Sequence, residues 1–89
     1  MVERNWRCEL GEIDLVAVHE RLLVVVEVKA RATDRYGSPA LAVDERKQRR
    51  LRRLAAQWLV EHPEHRRNDV RFDVVAVTGA RVEVFIAAF

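Results

Sequence analysis

The sequence predicts a mixed α/β domain, a sheet of about five strands carrying one long helix, and three observations support it. Two runs of apolar and β-branched residues, 13–18 and 22–28, are separated by the charged pair Glu20 and Arg21, as in a strand hairpin. Residues 45–62 repeat apolar side chains at the helical interval,. Two further strand-like runs, 71–77 and 81–89, flank Gly79 and Ala80. With strands on both sides of a helix, the fourth strand returns to the sheet by a crossover.

All 89 residues read as one domain with one modest core. Hydrophobic residues make up 49% and charged residues 34%, the balance of a soluble globular chain. No stretch of apolar residues is long enough to span a bilayer, and Met1 to Trp6 lacks the apolar segment of a signal peptide,. Membrane association is therefore not expected. Cys8 is the only cysteine, so no internal disulfide can form and the reducing cytoplasm is the expected compartment.

Taken in order, residues 2–9 alternate Trp6 and Cys8 with charged neighbours, which reads as a half-buried strand ending before Gly11, with Trp6 in the core,. The next two runs form the hairpin. In the following loop, residues 30–39, Gly37 permits a turn, Ser38 suits an N-cap and Pro39 a first helical position,. Asp44 is a plausible cap for the helix 45–62, whose Leu51, Leu54, Ala55, Trp58 and Leu59 form one apolar face,. The segment from His62 to Asp69 is a polar loop broken by Pro63, and its His62 and His65 read as surface residues rather than metal ligands. RFDVVAV is a buried strand, and RVEVFIAAF is the last.

Four charges interrupt the oily hairpin: Glu12, Asp14, Glu27 and Lys29. Strict alternation places Glu12, Asp14, Val16 and Val18 on one face of the first strand, with Ile13, Leu15 and Ala17 on the other. A hairpin closed at Glu20 and Arg21 sets Asp14 opposite Glu27, Glu12 opposite Lys29 and Val16 opposite Val25, with opposed Cβ atoms about 5 Å apart. Slipping by one residue would separate the two sets, so the grouping depends on register. Two carboxylates beside a lysine suit Mg²⁺ or Mn²⁺, which take oxygen ligands and leave positions for water and phosphate. Asp14 and Glu27 would be the ligands, and Lys29 an electrostatic group rather than a base. A solvated sheet end with an ordinary Glu12–Lys29 ion pair is the plainer reading of the same spacing.

Six basic residues occupy the eight positions 46–53: Arg46, Lys47, Arg49, Arg50, Arg52 and Arg53. No acidic residue lies between Glu45 and Glu61, so pairing along the helix cannot neutralise the run. The net charge is only +2; the clustering is what points to phosphate binding. Arg31, Arg35 and Tyr36, beside the carboxylates in sequence, are candidate contacts to a nucleic-acid backbone, together with Arg46, Lys47, Arg49, Arg50 and Arg53. A solvated basic face is the alternative.

Asp14 followed one strand later by Glu27, Val28 and Lys29 resembles the PD-(D/E)XK nuclease superfamily. With GEIDLVA, VVVEVKAR, DRYGSPALAV, the run Lys47 to Leu54 and RFDVVAV in this order, the chain is similar to the YraN-type family of small bacterial proteins, relatives of archaeal Holliday junction resolvases. The resemblance covers almost the whole chain. It implies a restriction-endonuclease-like fold and a metal-dependent DNA nuclease, active on branched or recombining DNA. It also implies Asp14 and Glu27 as metal ligands, Lys29 as a catalytic group with Glu12 in support, and Lys47 as an auxiliary group. Asp73 looks structural. Family members ordinarily carry a further helix before the first strand, with a glutamate that completes the metal site, and this sequence begins after it. That departure raises the expectation of an uncovered apolar face, formed by Ile13, Leu15, Val24 and Val26, and of a homodimer that covers it. A DNA-binding module without catalysis, and an interaction domain, are the other readings.

Overall fold

A computed structural model describes residues 1–31 and 43–89. The backbone forms β1 (Val2–Cys8), β2 (Gly11–His19), β3 (Leu22–Arg31), α1 (Glu45–Glu61), β4 (Asp69–Thr78) and β5 (Arg81–Phe85), with one short 3₁₀ turn at Pro63–His65. The strands make one five-stranded sheet in sequence order. β3 and β4 are parallel, and the other neighbours are antiparallel. This is the mixed sheet with one long helix expected of a restriction-endonuclease-like domain. The expected features at Arg35, Tyr36, Gly37, Ser38 and Pro39, and the side chain of Arg31, lie outside the described residues.

The hairpin register agrees with the alternation argument. Val16 pairs with Val25 and His19 with Leu22, leaving Glu20 and Arg21 as a two-residue turn. Glu20 has φ 55°, the positive value that such hairpin turns require at their first central residue. The paired rungs of β2 and β3 end at Leu15 and Val26.

One expectation about faces is corrected. Ile13 and Val16 both lie fully buried in the core, although strict alternation puts them on opposite faces. The strand rhythm breaks between them. β1 pairs with β2 through Arg4–Leu15 and then Trp6–Ile13, and the rung between, Asn5 with Asp14, is missing. Asn5 has φ 53°, in the left-handed region that asparagine tolerates better than most residues. On either side of this rung, Glu3 and Trp6 both turn toward α1.

That side of the sheet carries the core. Trp6, Ile13, Val16, Leu23, Val25, Phe72 and Val74 pack against Leu51, Leu54, Ala55 and Trp58 of α1. The apolar helical face expected from the sequence is thus the buried one. The helix ends one residue earlier than expected. His62 is its C-cap with φ −130° and ψ 68°, the extended bias imposed by the following Pro63.

The last strand also ends early, at Phe85 rather than Phe89. Ala87 adopts φ 52°, and its N–H donates to Asp73 Oδ1 at 2.9 Å. Ala88 N–H donates to the Phe72 carbonyl at 2.8 Å. Phe89 then stacks on Phe72 at 5.1 Å, with the Arg52 guanidinium 5.0 Å from the Phe72 ring centre.

The opposite sheet face has no helix over it among the described residues. Its rungs run Val2–Ala17–Val24–Arg71, Arg4–Leu15–Val26–Asp73, Val28–Val75–Val84 and Ala30–Val77–Val82. Val82 and Val84 are 61% and 59% exposed. The face without a helix is therefore that of Leu15, Val24 and Val26 with β4 and β5; Val26 is nonetheless buried within it, and Ile13 does not belong to it.

Candidate metal and nucleic-acid site

Glu27 is the centre of the site. It lies on β3 opposite Val74, faces the helix side of the sheet, and is only 9% exposed. A carboxylate this buried needs compensation, and it has two cations on one oxygen. Lys29 Nζ lies 3.6 Å and Lys47 Nζ 3.4 Å from Glu27 Oε1. Lys29 reaches it because it sits two residues along the same strand.

Lys47 arrives from α1. Asp44 caps the helix by accepting from the Lys47 backbone N–H at 2.8 Å, and Gln48 Nε2 donates to the Val43 carbonyl at 3.0 Å. The same contacts that satisfy the helix N-terminus thereby place the Lys47 side chain over Glu27. Lys47 belongs both to the basic stripe and to the carboxylate, the second being the neighbourhood that the resemblance implies for an auxiliary group.

Asp14 joins the group through the backbone. It follows Leu15 in the β2–β3 register, at the rung facing Glu27, but here a side chain replaces the ladder bond: Val28 N–H donates to Asp14 Oδ2 at 2.8 Å. Glu27, Lys29 and Lys47 are thus in contact at one end of the β2–β3 pair, and Asp14 is tied to the backbone of the residue that follows Glu27. Glu12 is not part of this group. The plainer reading, a Glu12–Lys29 ion pair, is not what the side chains make: Arg7 Nε lies 3.3 Å from Glu12 Oε2, and Lys29 turns to Glu27.

The two lysines shift each other. The side-chain hydrogen bond from Lys47 holds Lys29 below the ordinary lysine range, with burial and Lys47 repulsion acting in the same direction. Lys47 is pushed the other way by its hydrogen bond with Lys29, against its own burial.

Two carboxylates with hard oxygen donors have the chemistry that Mg²⁺ or Mn²⁺ prefers. Among the described residues no group of three His, Cys, Asp or Glu side chains converges. Asp14 and Glu27 are the two carboxylates that could hold such a cation, with water completing its shell. His62 and His65 take no part: their rings stack on Trp58, at 3.8 and 5.7 Å between centroids.

Lys47 also lines an open, basic cavity of about 590 Å³, together with Leu10, Asp44, Arg46, Arg49, Arg50 and Arg53. All five helical cations proposed from sequence as backbone contacts line it. Arg52 does not, since its guanidinium covers Phe72 and Phe89. One weak intrahelical pair, Arg49 with Glu45 at 3.8 Å between exposed side chains, offsets little of the charge. Sequence reasoning missed Leu10, whose only signal was an apolar residue at a turn between Glu9 and Gly11.

A family model matches residues 1–77 of this sequence and is described as uncharacterised protein family UPF0102. The chain belongs to that family. It is 57% identical over 81 residues to a UPF0102 protein of Beutenbergia cavernae, covering 91% of this chain and 68% of that one. A UPF0102 protein of Frankia casuarinae is 53% identical over 94 residues, covering all of this chain and 79% of the relative. A third UPF0102 protein, from Mycolicibacterium vanbaalenii, is 50% identical over 84 residues, with 94% and 69% covered. This is the YraN-type family to which the ordered blocks pointed. No helix among the described residues is long and apolar enough to cross a membrane.

Proposed function

We propose that this chain is a divalent-cation-dependent nuclease domain that hydrolyses phosphodiester bonds in DNA, with branched or recombining DNA as its candidate substrate. The observation that carries the reading is the continuity of two features. Lys47, paired with Glu27 opposite the position of Asp14, also lines a cavity whose other walls are mostly arginines.

In this reading Asp14 and Glu27 hold Mg²⁺ or Mn²⁺, which when bound supplies Lewis-acid polarisation of the phosphoryl group and a more acidic water. Lys29 stabilises charge that develops on the phosphate oxygens. Arg46, Arg49, Arg50 and Arg53 hold the backbone on either side of the scissile bond and carry no base preference. Glu12, tied to Arg7, is left without a direct role. The cytoplasm is the compartment proposed, in keeping with the single thiol of Cys8.

The test is cleavage of labelled duplex, flap and four-way-junction DNA by the purified protein in Mn²⁺ and in EDTA. Metal-dependent cleavage should fall at least about 100-fold in Asp14→Ala and Glu27→Ala. Salt-sensitive binding without cleavage in any metal would overturn the nuclease reading in favour of a DNA-binding module.

A second reading, an interaction domain that pairs with another copy of itself, is favoured by the exposed valines of the uncovered face,. Under it, sedimentation would give a mass that rises with concentration, and Val82→Lys with Val84→Lys would abolish the rise.

A further inference from the structure

Glu27 Oε1 serves two ammonium groups at once, Lys29 at 3.6 Å and Lys47 at 3.4 Å. A divalent cation held by Glu27 and Asp14 would bring four positive charges against two carboxylates in a half-dry site, and mutual repulsion opposes keeping both ammonium groups on Glu27. One lysine must withdraw when the cation binds. Lys29 has little choice, being two residues from Glu27 on the same strand, with its side chain 20% exposed. Lys47 is on another element, its side chain is 27% exposed, and the residue also lines the basic cavity. Its flexible four-carbon stem can move the charge without moving the helix.

We propose that Lys47 is a built-in counter-ion that occupies Glu27 until a divalent cation takes the carboxylate, and that its displaced ammonium then turns into the basic cavity to meet a phosphate. The inference rests on the reading of Glu27 as a metal ligand and adds to it a coupling. Metal binding releases a cation for the nucleic acid, and nucleic acid, by drawing Lys47 away, strengthens metal binding. Such a coupling is reciprocal by linkage. Lys47 is a positioning residue in this scheme, acting on the metal through the carboxylate that both contend for.

The experiment is Mn²⁺ binding measured by electron paramagnetic resonance of the free ion, without DNA, on the parent protein and on Lys47→Met, Lys47→Arg and Glu27→Gln. Lys47→Met should bind Mn²⁺ about threefold more tightly, the scale of one partly exposed ion pair. Lys47→Arg, which keeps the charge, should match the parent, and Glu27→Gln should lose binding. In parallel, anisotropy of a labelled DNA duplex in Ca²⁺ and in EDTA should show a smaller gain from the cation in Lys47→Met than in the parent. Equal or weaker Mn²⁺ binding by a folded Lys47→Met, with binding still lost in Glu27→Gln, overturns the counter-ion role and leaves the metal site standing. Mn²⁺ uptake that is absent from the parent, or undiminished in Glu27→Gln, overturns the metal reading and this inference together.

Discussion

Lys29 and Lys47 contend for one oxygen of Glu27, and their proton affinities should separate accordingly. Lys29 is lowered chiefly by its hydrogen bond with Lys47, whereas Lys47 is raised by the same contact. As pH rises, Lys29 is expected to lose its proton first. The Cε and Nζ resonances of labelled lysine would show the order, and Lys47→Met should move the Lys29 transition up toward the ordinary range. The unfolded chain holds the Lys29 proton more tightly than the folded one, so on its own Lys29 favours folding increasingly as pH climbs through that window; Lys47 has the opposite sign, its contribution being lost as pH rises through its folded value. At this scale the sequence was partly legible. Asp14 and Glu27 could be set face to face because the apolar period and a two-residue turn determine the β2–β3 register. The partner of Glu12 could not be read. Arg7 and Lys29 are equally good cations on the two strands that flank β2, and the structure gives Arg7 to Glu12 and Lys29 to Glu27.

At the scale of the element, α1 is held by more than its apolar stripe. Trp58 is fully buried, its indole N–H donates to Glu3 Oε1 at 3.0 Å, and His62 stacks on its ring while its Nδ1–H donates to the Trp58 carbonyl at 2.7 Å. Trp58→Phe should cost about 1–2 kcal/mol, for the lost hydrogen bond and part of the ring. Trp58→Ala should cost about 3–5 kcal/mol through the cavity it leaves. Urea denaturation would measure both. The 3.6-residue period made the buried face of this helix readable, and Asp44 with Pro63 marked its ends to within a residue. The strands were less transparent where backbone φ turns positive. Asparagine at position 5 permits a positive φ without marking that β1 breaks its alternation there, and nothing about Ala87 signals that it ends β5; Ala87 is held there by Asp73, 14 positions away.

Over the whole molecule the charge is small in sum and uneven in place. The net value is +2, yet five cations of α1 line one cavity, while the far side of the sheet presents valines. Electrostatic affinity for a polyanion should follow the local cluster rather than the sum. Binding to duplex DNA is thus expected to weaken as salt increases. Replacing Arg46, Arg49, Arg50 and Arg53 together by Gln should flatten the plot of log affinity against log salt by up to about 0.9 for each phosphate contact removed. An unchanged slope would place the nucleic acid elsewhere. The crossover topology was readable from the order of strand and helix patterns. The meeting of α1 with Glu27 was not readable from spacing, which carries no distance across the crossover; only the resemblance implied Lys47 near the site.

The bond from Val28 N–H to Asp14 Oδ2 gives this protein an internal gauge. A ladder rung made by a carboxylate differs from one made by a peptide carbonyl because its acceptor can be neutralised, drawn aside or shared. Any ion or proton that engages Asp14 must alter that one amide. Its chemical shift and its rate of exchange with deuterium would therefore register what happens at the carboxylates directly. The reading would need neither a substrate nor turnover.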